Sequence, residues 1–180
     1  EGLTEQITID PKGKEIELHS LYVDIPWTYE ATDLVFANGF QSWTESKEYG
    51  IEDKIPRLKG PAPKLMNLSG DYTFFPATGD KGIFHSHDLT YIRKKDQYAL
   101  WKDKMGRTGY TIYEHQTGQG FMRVHKDVAG LKISTAQQIV EMDACWGTRQ
   151  EVFAKAFEGN TPREAKTPVT GWTSWYYHYN

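Results

Sequence analysis

The sequence predicts a mostly β protein folded as an antiparallel β-sandwich, and three observations lead to this prediction. Short stretches of alternating apolar and polar residues recur up to about residue 140. Turn-forming segments rich in Gly, Asp and Lys separate these stretches. The length of 180 residues gives room for one ordinary core. Short strands at regular spacing, joined by turns, are typical of an antiparallel sandwich.

The first strands are expected close to the N-terminus. Residues 5–10 and 15–19 alternate, and the Pro-Lys-Gly-Lys segment at 11–14 between them favours a turn, so we predict a hairpin. Residues 33–36 form the next short apolar run and predict a strand that leads into a distinctive motif.

The middle of the chain continues the pattern after one long interruption. From residue 46 to about residue 70, prolines and glycines break regular strand ladders. Loops of this length inside a compact domain are often functional. Alternation then predicts strands over residues 82–92, 97–101, 110–115, 121–125 and 130–140.

The pattern changes near the C-terminus. Thr148 is predicted to cap a helix from about residue 149 to 157, with Val152, Phe153 and Ala156 on one face and Gly159 as the stop. Residues after the helix look like a linker followed by an aromatic strand that begins another domain. We therefore divide the chain into a sandwich over 1–146, a helix and linker over 147–168, and that strand over 169–180.

The composition excludes several classes of partner. Lys and Arg total 21 against 24 Asp and Glu, and this net charge of -3 argues against nucleic acid or an anionic membrane surface. No apolar run is long enough to predict a membrane span. A single cysteine, Cys145, excludes an internal disulfide and is expected to be buried. Aromatic residues make up 14% and lie among polar groups, which suits sugar or peptide surfaces.

No residue of the sequence is predicted to be catalytic or to bind a metal ion. His85 and His87 alternate on one strand face and could bind a metal, but the third ligand could be His115, His125 or Asp143, and hydrogen-bonded histidines are the commoner case. The chain has no nucleophile elbow and no phosphate-binding loop. Its carboxylates lie mostly in predicted turns. We expect no metal and no cofactor.

Two motifs combine aromatic rings with amide and hydroxyl groups. The first, Asn-Gly-Phe-Gln-Ser-Trp-Thr at residues 38–44, follows a predicted strand and could stack on and hydrogen bond a sugar, although a core aromatic pair is the structural alternative. The second is Gly-Trp-Thr-Ser-Trp-Tyr-Tyr-His-Tyr at residues 171–179. The candidate substrate-binding residues are Asn38, Gln41, Trp43, Trp172, Trp175 and Tyr176.

Together these motifs resemble the bacterial α-galactosidases (melibiases) of glycoside hydrolase family 36. In that family the second motif forms the first strand of a catalytic (β/α)8 barrel, and a supersandwich-like β domain precedes it. The resemblance implies that this chain is the N-terminal sandwich of such an enzyme, cut at the first barrel strand. The nucleophile and acid/base aspartates lie on later barrel strands, so this fragment is expected to be inactive.

The resemblance also implies roles for the candidate residues. Trp43 matches a tryptophan that forms part of the wall of the galactose pocket, and Asn38, Gln41 and Ser42 would hold its loop. Trp172 and Trp175 match the first barrel strand, while individual roles there stay open. The implied partners are the missing barrel of the same chain, an α-galactoside oligosaccharide and further copies of the enzyme in a homo-oligomer. The implied location is the bacterial cytoplasm.

Several alternatives remain open. Raffinose-synthase-like transferases and α-N-acetylgalactosaminidases share the sandwich-plus-barrel plan. Thr173 and the position of His178 depart from the family's usual pattern. A stand-alone carbohydrate-binding module would also explain the aromatic content, and a purely structural domain would explain the sandwich alone.

Overall fold

The computed structural model describes residues 1–38, 46–54, 81–104 and 111–159, and it confirms the antiparallel β-sandwich. The described elements are β1 (Gly2–Ile9), β2 (Ile16–Leu18), β3 (Leu21–Pro26), β4 (Leu34–Ala37), β5 (Lys47–Gly50), β6 (Ile83–His87), β7 (Leu89–Lys94), β8 (Gln97–Asp103), β9 (Thr111–Gln116), β10 (Phe121–Lys126), β11 (Leu131–Ile133), β12 (Gln137–Thr148) and α1 (Arg149–Ala156).

Two large sheets form the layers of the sandwich. One has six strands in the order β1-β12-β8-β7-β4-β5, and the other has four in the order β3-β10-β9-β6. A small ribbon pairs β11 with β2. Every pairing between described strands is antiparallel.

The main core lies between the two large sheets. Alternate residues of each strand point inward, and one cluster of buried side chains takes members from both layers, such as Val35 and Ile92 from the larger sheet and Phe84 and Met122 from the smaller. This burial of apolar surface is the main force that holds the layers together.

The helix covers the outer face of the six-stranded sheet. Leu100 of β8 and Cys145 of β12 form a second buried cluster with Val152 and Ala156 of α1. Strand β8 is therefore buried on both faces, which explains its continuous apolar run. Among the described residues, no helix is long and apolar enough to cross a membrane.

The prediction of a helix capped by Thr148 is confirmed. Thr148 Oγ1 accepts a hydrogen bond from the backbone N–H of Glu151, and the Glu151 carboxylate accepts one from the Thr148 N–H at 2.8 Å. This reciprocal capping box satisfies two N–H groups that the first helical turn leaves without partners. Gly159 follows in the left-handed conformation expected of a stop signal.

The predicted N-terminal hairpin is wrong. The turn forms, since the Lys14 N–H donates to the Pro11 carbonyl at 3.2 Å, but β1 pairs with β12 and β2 pairs with β11. The pairing with β12 places Ile7 and Ile9 against the main core. Alternation predicts that a segment is a strand, whereas burial against distant strands selects its partner.

The predicted strand over residues 82–92 is two strands in different sheets. The chain passes from β6 to β7 at Asp88, whose φ of 59° lies in the left-handed region. The Asp88 N–H donates to the Thr111 carbonyl at 2.8 Å, and the Asp88 carbonyl accepts from the Asp103 N–H at 2.9 Å. Asp88 is therefore a corner bonded to one strand of each layer.

Two further predicted boundaries change. The run at 130–140 divides into β11 and the start of β12, which belong to different sheets. Strand β5 lies within the long interruption predicted to lack strands, and residues 55–70 of that interruption are outside the described residues. Pairing with β4 explains β5, because it extends the larger sheet by one edge strand.

We expect Gly82→Ala to lower the free energy of unfolding by about 1–3 kcal/mol more than the matched change Gly13→Ala. Both glycines have φ between 70 and 80°, but a Cβ at Gly82 would lie 2.4 Å from Thr117 Oγ1, whereas none of the surrounding atoms lies within 4 Å of a Cβ at Gly13. The clash would disturb the bond from the Thr117 hydroxyl to the Ile51 carbonyl. Urea denaturation of both variants measures the difference, and equal losses would contradict the steric explanation.

Candidate functional site

Two connections leave the sandwich at the same end. Residues 38–46 join the paired ends of β4 and β5 there. Residues 104–110 join β8 to β9, and the strand ends Asp103 and Thr111 both bond to the backbone of Asp88. We call this the loop end of the sandwich. It contains the root of the first aromatic motif.

Asn38, the first residue of that motif, links the two sheets. Its Oδ1 accepts a hydrogen bond from the His87 N–H at 2.7 Å, and its own N–H donates to the His85 carbonyl at 3.2 Å. Asn38 follows β4 of the larger sheet, whereas both partners belong to β6 of the smaller sheet. The amide oxygen is thus engaged with the backbone, and the base of the motif is held on both layers.

The other candidate substrate-binding residues lie outside the described residues. These are Gln41, Trp43, Trp172, Trp175 and Tyr176. Their proximity to one another and to a sugar therefore stays a prediction from the sequence.

The two alternating histidines lie on the outer face of β6. His85 Nε2 lies 2.7 Å from Glu114 Oε2 on the neighbouring strand β9, and this hydrogen bond lowers the pKa of Glu114 to about 2. Of the candidate third ligands, His115 points into the core and His125 lies two strands away. Within the described ranges, no three His, Cys, Asp or Glu side chains are grouped to hold a metal ion.

His115 belongs to a buried chain of hydrogen bonds that crosses the core. The Thr90 hydroxyl donates to the Phe36 carbonyl at 3.0 Å, so its oxygen accepts from His115 Nε2–H at 2.7 Å. His115 Nδ1 lies 3.0 Å from the Tyr29 hydroxyl oxygen, which also lies 3.3 Å from the Phe121 carbonyl oxygen. In a neutral imidazole that carries its proton on Nε2, Nδ1 accepts from Tyr29. The chain connects β9 of the smaller sheet to β4 just before the aromatic motif.

Burial lowers the pKa of His115 to about 3, because the charged imidazolium would lose its hydration. His115 is therefore a structural histidine at neutral pH, as the commoner interpretation of the histidines predicts.

A second buried polar contact joins the sheets at the loop end. Lys126 Nζ lies 2.8 Å from Asp103 Oδ2 and donates to Thr111 Oγ1 at 2.9 Å. The Lys126 and Asp103 side chains are only 0% and 4% exposed. Sequence reasoning missed this pair because lysine is normally a surface residue. The alternation of the strand could have indicated that Lys126 is buried, since Lys126 follows Met122 and Val124 at the same two-residue spacing.

Helix α1 directs the chain back toward the loop end. The helix begins after Thr148, which is opposite Gln97 at the far end of β8. Beyond the helix, the Phe157 ring lies 5.3 Å from Lys102 Nζ, next to the end of β8. Phe157, close to the last described residue, therefore lies on the same side of the sandwich as the root of the first motif.

Two solved structures of the α-galactosidase TtGalA from Thermus thermophilus are similar to this chain. The complex with p-nitrophenyl α-D-galactopyranoside is 16% identical, has a TM-score of 0.46, and is matched over 93% of this chain and 31% of that chain. The complex with stachyose is 14% identical, has a TM-score of 0.44, and is matched over 85% of this chain and 29% of that chain. This chain thus spans less than a third of either. No family model and no curated protein matches. At such low identity and TM-score, the likeness says nothing about activity.

Proposed function

We propose that this chain is the N-terminal, non-catalytic β-sandwich of a family 36 α-galactosidase, and that it supplies the aromatic motif to the mouth of the active site. The parent enzyme would hydrolyse terminal α-linked galactose from oligosaccharides with retention of configuration. The motifs at residues 38–43 and 171–176 support this assignment through their resemblance to that family.

The observation that carries the proposal is the anchoring of Asn38 on both sheets. A pocket wall must hold its position to contribute to binding, and the two bonds of Asn38 fix the root of the motif on a rigid scaffold. Trp43 follows five positions later, within reach of that root. Because α1 returns the chain toward the loop end, Phe157 lies on the side of the motif.

The division of labour follows from the chemistry of retaining glycosidases. One carboxylate of the parent enzyme attacks the anomeric carbon, and a second protonates the leaving oxygen and then activates water. This chain would supply neither carboxylate. The Trp43 ring would offer an apolar surface to the C–H groups of the galactose ring, and Asn38 and Gln41 would hold its loop.

The test is Trp43→Ala in the extended protein, read from the coding sequence beyond Asn180 and assayed on an aryl α-galactoside. We expect kcat/KM to fall about ten-fold, mainly through a higher KM, because a stacking surface for the bound sugar is lost. Parallel assays on an aryl α-N-acetylgalactosaminide and for galactosyl transfer distinguish the related activities.

Phe157→Ala is the matched control, since Phe157 is an exposed aromatic residue, 43% accessible, outside the motif. Its kinetics should equal those of the parent. No release of galactose by the extended protein would overturn the proposed activity. Activity that is equal in Trp43→Ala and the parent would overturn the pocket role alone.

A further inference from the structure

The outer face of the four-stranded sheet carries an ordered array of polar and aromatic side chains. Strand register aligns them in three rows across β3, β10, β9 and β6. We call this array the outer grid, and its rows are Tyr22, His125, Ile112 and His87, then Asp24, Arg123, Glu114 and His85, then Pro26, Phe121, Gln116 and Ile83.

The charged side chains of the middle row are hydrogen bonded to one another or to His85 inside the grid. Arg123 donates two hydrogen bonds to the Asp24 carboxylate, from Nε to Oδ1 at 2.7 Å and from Nη2 to Oδ2 at 2.9 Å. His85 bonds to Glu114 on the other side. A guanidinium has five N–H groups, so the two bonds to Asp24 leave Arg123 with donor capacity toward solvent. The grid is therefore rich in hydrogen-bonding groups, and its one guanidinium is already paired with a carboxylate.

The rings of the grid are held in place by their neighbours. Tyr22 stacks on His125 with ring centroids 4.4 Å apart, and the Arg123 guanidinium lies 5.3 Å from the Tyr22 ring and 5.4 Å from the Phe121 ring. Tyr22 nevertheless remains 51% exposed. A ligand would meet a preorganised aromatic surface, which lowers the entropy that binding must overcome.

We propose that the outer grid is a binding site for neutral oligosaccharides. A pyranose offers C–H faces for the Tyr22 and Phe121 rings and hydroxyls for Arg123, Glu114 and Gln116. An anionic ligand would have to compete with Asp24 for Arg123, and an apolar peptide would desolvate the charges without replacing their hydrogen bonds. The grid shares no residue with the motif at 38–44, although the backbone of His85 and His87 at its edge bonds to Asn38, so Tyr22→Ala and Trp43→Ala test two different binding surfaces.

The test is a ¹H–¹⁵N NMR titration of the 180-residue chain with raffinose, a neutral trisaccharide, up to tens of millimolar. We expect saturable shift changes at backbone amides of β3, β9 and β10. Tyr22→Ala should weaken binding about ten-fold, Tyr22→Phe should retain it, and Phe157→Ala is the control at a comparably exposed ring outside the grid. The spectrum of each variant also reports whether it is folded.

The outcomes separate this inference from the proposed function. Saturable shifts in the grid that Tyr22→Ala weakens and Phe157→Ala leaves unchanged support a sugar site here. An absence of saturable shifts overturns it, as does equal weakening by both alanine variants. Shifts confined to residues 39–45 would support the pocket role and overturn the grid. Tighter binding of a sulfated trisaccharide would overturn the preference for a neutral ligand.

Discussion

Lys126→Met is expected to lower the free energy of unfolding by about 3–5 kcal/mol. The substitution removes the ammonium 2.8 Å from the Asp103 carboxylate, and both side chains are almost completely buried. An interior carboxylate that loses its cation keeps the cost of dehydration without the compensating attraction. Urea denaturation at neutral pH, with equal m-values for the two proteins, measures the loss.

Lys155→Met is the matched control for this prediction. Lys155 pairs with Glu158 on the surface, where both side chains are more than half exposed, so the loss of unfolding free energy should be far smaller than for Lys126→Met. The double variant Lys126→Met with Asp103→Leu should recover part of the loss, because both charges are then replaced by apolar groups. If Lys126→Met costs no more than Lys155→Met, the contact at the loop end is not a buried ion pair.

Acidification should destabilise the sandwich through His115. Its pKa lies near 3 in the folded chain and near 6.5 in an exposed imidazole. Below pH 6.5, His115 is therefore protonated in the unfolded chain and remains neutral in the folded chain. The free energy of unfolding falls as the pH is lowered, until the pH approaches 3. Between pH 6.5 and pH 5 this single group should cost about 2 kcal/mol.

His115→Gln isolates this effect. A glutamine can donate to Thr90 and accept from Tyr29 in place of the ring, but it does not titrate. The measurement is the difference in unfolding free energy between the two pH values for both proteins. The parent should lose about 2 kcal/mol more than the variant. Equal losses would mean that other groups, such as His87 and His125, dominate the acid sensitivity.

The sequence predicted where the first motif of the candidate site begins, but not the contacts that hold it. Because Asn38 comes two positions after the end of the predicted strand at 33–36, the position of the first motif at a strand end could be foreseen from the local pattern. Its bond to His87 could not, since that contact spans 49 positions and depends on how the two sheets face each other. The outer grid was invisible for the same reason, because its rows exist only after four separate strands have taken their register.

What the sequence by itself determined was local. The capping box of Thr148 and Glu151 requires residues three positions apart, and strand formation in β10 follows from alternation within a few residues. The tertiary structure alone decided which strands pair, that Asp88 turns the chain from one layer to the other, and that Lys126 lies in the core. Those outcomes depend on burial and hydrogen bonding summed over distant segments, and a local pattern carries no information about that sum.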